Sequence, residues 1–145
     1  GKRRKKWLGR IDLQLIPYYN RIVNLCFYLE RNPDVKFIEN LEKLMDDPNI
    51  KGYKTSEYNQ TRWRIYGANL ELLLAAAAIR CGSMKGTECL ISYLEDIHSN
   101  FRYFSRNELC SVYGKDGGYD RAVWHKLVKD KKSFKVSPLK KSIEV

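Results

Sequence analysis

Asn69-Leu70-Glu71-Leu72-Leu73-Leu74-Ala75-Ala76-Ala77-Ala78-Ile79, followed by Arg80-Cys81-Gly82, is the stretch that decides the fold. Leucine and alanine have the highest helix propensities, and an alanine run lets a neighbouring helix approach closely. The segment is apolar nearly all round. A helix of that kind belongs at the centre of a bundle, because a surface helix keeps one polar face. Asn69 is the expected N-cap and Gly82 the expected stop. A mainly α fold follows.

Working outward, residues 18–29 repeat apolar side chains at helical spacing (Ile22, Leu25 and Cys26, Leu29), with Pro17 interrupting the chain before them. Asn32-Pro33-Asp34 separates that helix from a second one, whose stripe is Phe37, Ile38, Leu41, Leu44 and Met45 and which Asp46-Asp47-Pro48 stops. Residues 51–67 break the pattern. Tyr53, Thr55, Tyr58, Thr61, Trp63, Ile65 and Tyr66 favour strands, and Asn59-Gln60 suits a turn, so a small β-hairpin is expected there. After the central helix, Thr87 and Glu88 open another, with Leu90, Ile91, Leu94 and Ile97 as its buried stripe.

The last third carries the clearest pattern. Ser105-Arg106-Asn107-Glu108 has the form of a capping box. Leu109, Val112 and Tyr113 give that helix an apolar face, and Gly114-Lys115-Asp116-Gly117-Gly118 is a turn. A helix over 119–129 follows, burying Val123, Trp124, Leu127 and Val128, while Arg121, His125 and Lys129 share its other face at i, i+4 and i+8. Phe134 and Val136, a Ser137-Pro138-Leu139 turn, then Ile143 and Val145 suggest a β-hairpin. This order of elements resembles a winged helix-turn-helix, with a first helix drawn from residues 87–104. The resemblance implies that the helix at 119–129 enters a DNA groove and that the hairpin lies along the backbone. The expected organisation is a basic N-terminal arm (1–10), a helical body (11–104) and a helix-turn-helix plus hairpin (105–145), packed as one domain.

Charge points to the partner. The formal net charge is +10, spread unevenly. Residues 1–10 carry +6 and residues 114–145 carry +5, whereas the 103 residues between them carry −1. Clustered cations attract polyanions and release condensed counterions on binding phosphates. The expected function is therefore non-catalytic nucleic-acid binding, with DNA favoured over RNA. The contact residues would be Lys2, Arg3, Arg4, Lys5 and Lys6 of the arm; Arg121, His125, Lys126 and Lys129 of the helix; and Lys131, Lys132, Lys135, Lys140 and Lys141 of the hairpin. Arg62 and Arg64 rank second, since they would share one side of a strand whose Trp63 points inward. Two rivals remain: a structural RNA-binding subunit of a ribonucleoprotein, and a protein-interaction module whose lysines only confer solubility.

Other chemistries find little support. Cys26, Cys81, Cys89 and Cys110, with His98 and His125, match no common zinc spacing, so no metal or cofactor is expected. Arg121 and His125 are better read as a solvated basic face than as a nuclease pair, and Asp34 and Lys36 open a helix where a nuclease site would need a strand. No phosphate-cradling glycine loop or nucleophile elbow is present. The cysteines read as reduced core thiols, so an intracellular protein is expected despite the sequon at Asn59, and the basic arm doubles as a nuclear-import signal. Leu72–Ile79, the longest apolar run, is too short for a membrane span. Partner subunits of a larger assembly are expected, and no membrane.

Overall fold

The computed structural model describes residues 2–48, 50 and 62–129, with backbone only for 2–15 and 62–66. Six α-helices make up the described part: α1 (Lys2–Arg31), α2 (Ile38–Met45), α3 (Arg62–Cys81), α4 (Met84–Ser92), α5 (Ser99–Tyr113) and α6 (Arg121–Lys129). A single 3-10 turn, Val35–Phe37, precedes α2. No strand occurs among the described residues, and no helix among them is long and apolar enough to cross a membrane.

The central helix lies where its composition puts it. α3 packs against α1, α2, α4 and α5, and from Ala68 to Cys81 only Asn69 is exposed and Leu73 half-buried. Leu70, Leu72, Leu74, all four alanines and Ile79 are buried. Removing that apolar surface from water on every side is the main stabilisation available to the chain. α1 contributes Tyr19, Ile22, Cys26 and Leu29, and α2 contributes Leu41 and Met45.

Several boundaries differ from expectation. α3 begins at Arg62, seven residues before Asn69, which is exposed within the helix. The second strand of the hairpin expected at 53–66 is therefore helical from residue 62 on; residues 51–61 lie outside the described residues. Aromatic and β-branched side chains favour strands only weakly, so they do not prevent a helix here. Pro17 lies inside α1, so the segment expected as a free arm is the beginning of a 30-residue helix. A proline interior to a helix loses one hydrogen bond and crowds the preceding turn. Here the ring is exposed, and the buried row of Tyr19, Ile22, Cys26 and Leu29 holds the helix beyond it.

α4 starts at Met84 and not at Thr87, because the Ser83 Oγ accepts the Gly86 N–H at 3.1 Å and caps the helix there. α5 starts at Ser99. Ser105 is fully buried in mid-helix and caps nothing, and the boundary expected between residues 104 and 105 falls inside this helix. The true entry is the loop before it, where the Asp96 Oδ1 accepts the His98 N–H at 2.9 Å. Gly82 stops α3 as expected, with φ of 106°.

The closest helix approach is between α3 and α4. A methyl group on Gly86 would stand 2.8 Å from the Ala75 carbonyl oxygen and 2.9 Å from Ile79 Cγ2. Backbone cannot yield as a flexible side chain can, so overpacking at this point forces the helices apart. Gly86→Ala is expected to lower stability by about 1–3 kcal/mol in urea unfolding followed by circular dichroism, even though alanine has the higher helix propensity.

Candidate nucleic-acid interface

α6 is fixed by one aromatic lock. Its apolar side buries Trp124 and Val128 and half-buries Leu127, while Val123 is exposed. The Trp124 Nε1–H donates to the Gly118 carbonyl at 2.7 Å, and its ring packs edge-on against Tyr113 of α5 with centroids 6.2 Å apart. Gly117 lies flat against the indole, where a Cβ would come within 2.8 Å of the ring. Gly114 and Gly118 supply the left-handed backbone that the turn needs, with φ of 70° and 68°. Arg106 closes the turn from outside: its Nε–H donates to Asp116 Oδ1 at 3.0 Å, and its guanidinium stands over the Tyr119 ring. The Asp120 Oδ1 accepts the Ala122 N–H at 2.8 Å and caps α6.

This lock turns Arg121, His125, Lys126 and Lys129 outward, all exposed, as the spacing required. Their electrostatic surroundings are unequal. The Arg121 Nε–H donates to Glu95 at 3.2 Å, and His125 Nδ1 lies 3.7 Å from Glu88. Lys126 and Lys129 form no ion pair with any described residue. The cationic character of the face therefore rises toward the C-terminal end of α6, from which the chain runs into Lys131 and Lys132. Cations in a last turn also complement the helix dipole.

The other candidates separate. Lys2, Arg3, Arg4, Lys5 and Lys6 occupy the first turns of α1, which packs on α3, whereas α6 packs on α4. Arg62 and Arg64 lie in the first turn of α3, and residues two apart on a helix do not share a face, so the pairing expected from strand alternation is lost. Lys131, Lys132, Lys135, Lys140, Lys141 and the C-terminal hairpin lie outside the described residues. The cysteines form no disulfide, and Cys26 and Cys81 are in the core. Among the described residues no three His, Cys, Asp or Glu side chains gather to hold a metal ion.

Sequence reasoning missed a buried charged group. Arg80, 2% exposed at the end of α3, donates to Glu108 Oε2 of α5 at 2.8 Å and to Ser111 Oγ at 3.2 Å. Glu30 of α1 is buried close by. Its carboxyl is pushed up to about 7, first by burial and then by the Glu108 charge, against the opposing pull of Arg80 and Arg31. The only signal in the sequence was an arginine following four alanines and an isoleucine in an otherwise apolar helix.

No family model, no curated protein and no solved structure matches this chain at a significant level.

The raised Glu30 carboxyl makes stability depend on pH. The folded state holds this proton more tightly than the unfolded chain, whose carboxyl titrates near its ordinary value of 4.5. The contribution is therefore largest in acid and is lost as pH rises from about 4.5 through about 7. The protein is expected to be less stable at pH 8 than at pH 5.5, by on the order of 2 kcal/mol in urea unfolding, with a correspondingly lower Tm. Glu30→Gln is expected to flatten that difference.

Proposed function

We propose that this domain binds nucleic acid without catalysing a reaction, through phosphate contacts made by its basic N-terminal and C-terminal segments. The observation that carries the reading is the C-terminal end of α6. There Lys126 and Lys129 are exposed and unpaired with any described residue, on a helix locked by Trp124, and Lys131 and Lys132 follow in the chain after Asp130. A rigid helix presenting cations loses little conformational freedom on binding, which favours phosphate contact over a free tail.

The winged-helix form of this reading gives α4, α5 and α6 the three helical positions, α6 being the groove helix. Thr87 of α4 and Trp124 of α6 both meet Tyr113 of α5, as a three-helix core of that kind would need. The hairpin that this form requires, expected within residues 131–145, lies outside the described residues. Arg121 and His125, held by Glu95 and Glu88, would exchange those exposed pairs for phosphate at small cost. Lysines dominate the contacts, so affinity would exceed sequence selectivity.

A salt series tests this. Affinity for labelled duplex DNA, single-stranded DNA and structured RNA is expected to fall steeply with ionic strength. The log–log slope is expected to lose about one unit for each phosphate-contacting lysine replaced by glutamine among Lys126, Lys129, Lys131 and Lys132. Affinity unchanged by those replacements would remove α6 from the interface.

A further inference from the structure

The sequence directed attention to the two basic ends, but α1 carries the N-terminal one on the same helix as a run of exposed side chains from residue 20 to residue 31. At 3.6 residues per turn, positions 2 and 6 fall on the same side of the helix as Asn20, Asn24, Phe27 and Arg31, with positions 10, 21 and 28 along its flank. Asn20, Arg21, Asn24, Phe27, Tyr28 and Arg31 are all exposed. The helix carries eight Lys or Arg residues and two acids. Glu30 is buried, and position 12, the other acid, is in register with the buried Tyr19 and Cys26. Among the described side chains of α1, residues 16–31, no acid falls on the outward side.

Two large aromatic side chains stand on that cationic surface: Phe27 is 47% and Tyr28 is 59% exposed. Single exposed apolar residues are ordinary. An adjacent aromatic pair on an acid-free helix side is a different arrangement. The Arg31 guanidinium donates to the Phe27 carbonyl at 3.2 Å and is thereby held within one turn of the ring. Arg21 is braced likewise on the Pro17 carbonyl at 3.3 Å. Each uses one of five donors, which leaves the others for phosphate.

We infer that the outward side of α1 binds a single-stranded nucleic acid, with phosphates at its basic positions and unpaired bases stacked on Phe27 and Tyr28. This inference rests on the reading of the domain as a nucleic-acid binder and adds a second surface to it. Duplex bases are already stacked on one another and offer no free face to an aromatic ring, whereas an unpaired strand does. Basic positions toward both ends of the helix suit a polymer of phosphates better than a short acidic peptide. Asn20 and Asn24 add donors and acceptors between the two charged regions.

The test compares a labelled single strand of about 20 nucleotides with a blunt duplex of equal length, using the full chain and fluorescence anisotropy. Phe27→Ala with Tyr28→Ala is expected to lower single-strand affinity by about tenfold, leaving duplex affinity and the salt slope unchanged. Phe27→Trp retains the stacking surface and is expected to show added indole quenching with the single strand only, which decides the matter should the double alanine variant unfold. Unchanged single-strand affinity, or an equal loss on duplex, overturns the inference while the proposed function stands. Displacement of the strand by polyglutamate of equal charge overturns it in favour of an acidic protein partner. Absence of salt-dependent binding to any nucleic acid removes both.

Discussion

The dehydration of α3 is the constraint on which the remaining structure depends. A helix buried from Ala68 to Cys81 on nearly every side cannot exist without four neighbours, and α1, α2, α4 and α5 are those neighbours. Alanine at 75–78 keeps the helix thin where they converge, and Gly86 of α4 meets that stretch with no side chain at all. Leucines at 70, 72 and 74 fill the wider end. Each surrounding helix is thus amphipathic out of necessity, and each must turn its polar side to solvent.

Arg80 shows what such burial demands of a charge. Its guanidinium is removed from water, so it requires an anionic partner, and Glu108 supplies one from α5. That requirement sets the rotation of α5 about its own axis, which in turn places Ser105 inward and Arg106 outward. A second carboxyl, Glu30, enters the same region from α1 and is driven toward its neutral form by burial first and by the Glu108 charge second, which Arg80 and Arg31 offset only in part. The tertiary position of α1 and the titration of Glu30 therefore depend on each other.

Much of this was legible from residue spacing, and the failures have identifiable causes. The apolar stripes of 18–29, 37–45 and 119–129, the central position of 70–79 and the stop at Gly82 rest on burial, which periodicity reports directly. The helix starts were misread where two signals competed. Ser105 and Glu108 match a capping box, yet they serve a buried turn and an ion pair. Pro17 and the aromatic residues at 63–66 have local preferences against a continuing helix, yet α1 and α3 run through them. For the candidate site, the outward face of α6 was visible as an i, i+4, i+8 row. Its partial neutralisation was not, because Glu88 and Glu95 lie 26 or more residues away in sequence and meet α6 only after folding.

The same pairing rule explains why the excess charge is confined to particular surfaces. On the body, Lys36 meets Asp34, Lys43 meets Glu39, Lys85 meets Asp46 and Arg106 meets Asp116. Exposed pairs of this kind add little stability, but they cancel one another's field beyond a Debye length of about 8 Å. A polyanion approaching the body therefore meets alternating charge and is not drawn to it. Arg21 and Arg31 of α1 and Lys126 and Lys129 of α6, exposed and without an ion pair to any described residue, are not cancelled in this way. Both surfaces are helical, so successive cations four residues apart are held about 6 Å apart on a fixed line. The bundle then acts as a frame: its core decides which way α1 and α6 face, and so which of their cations stand in solvent.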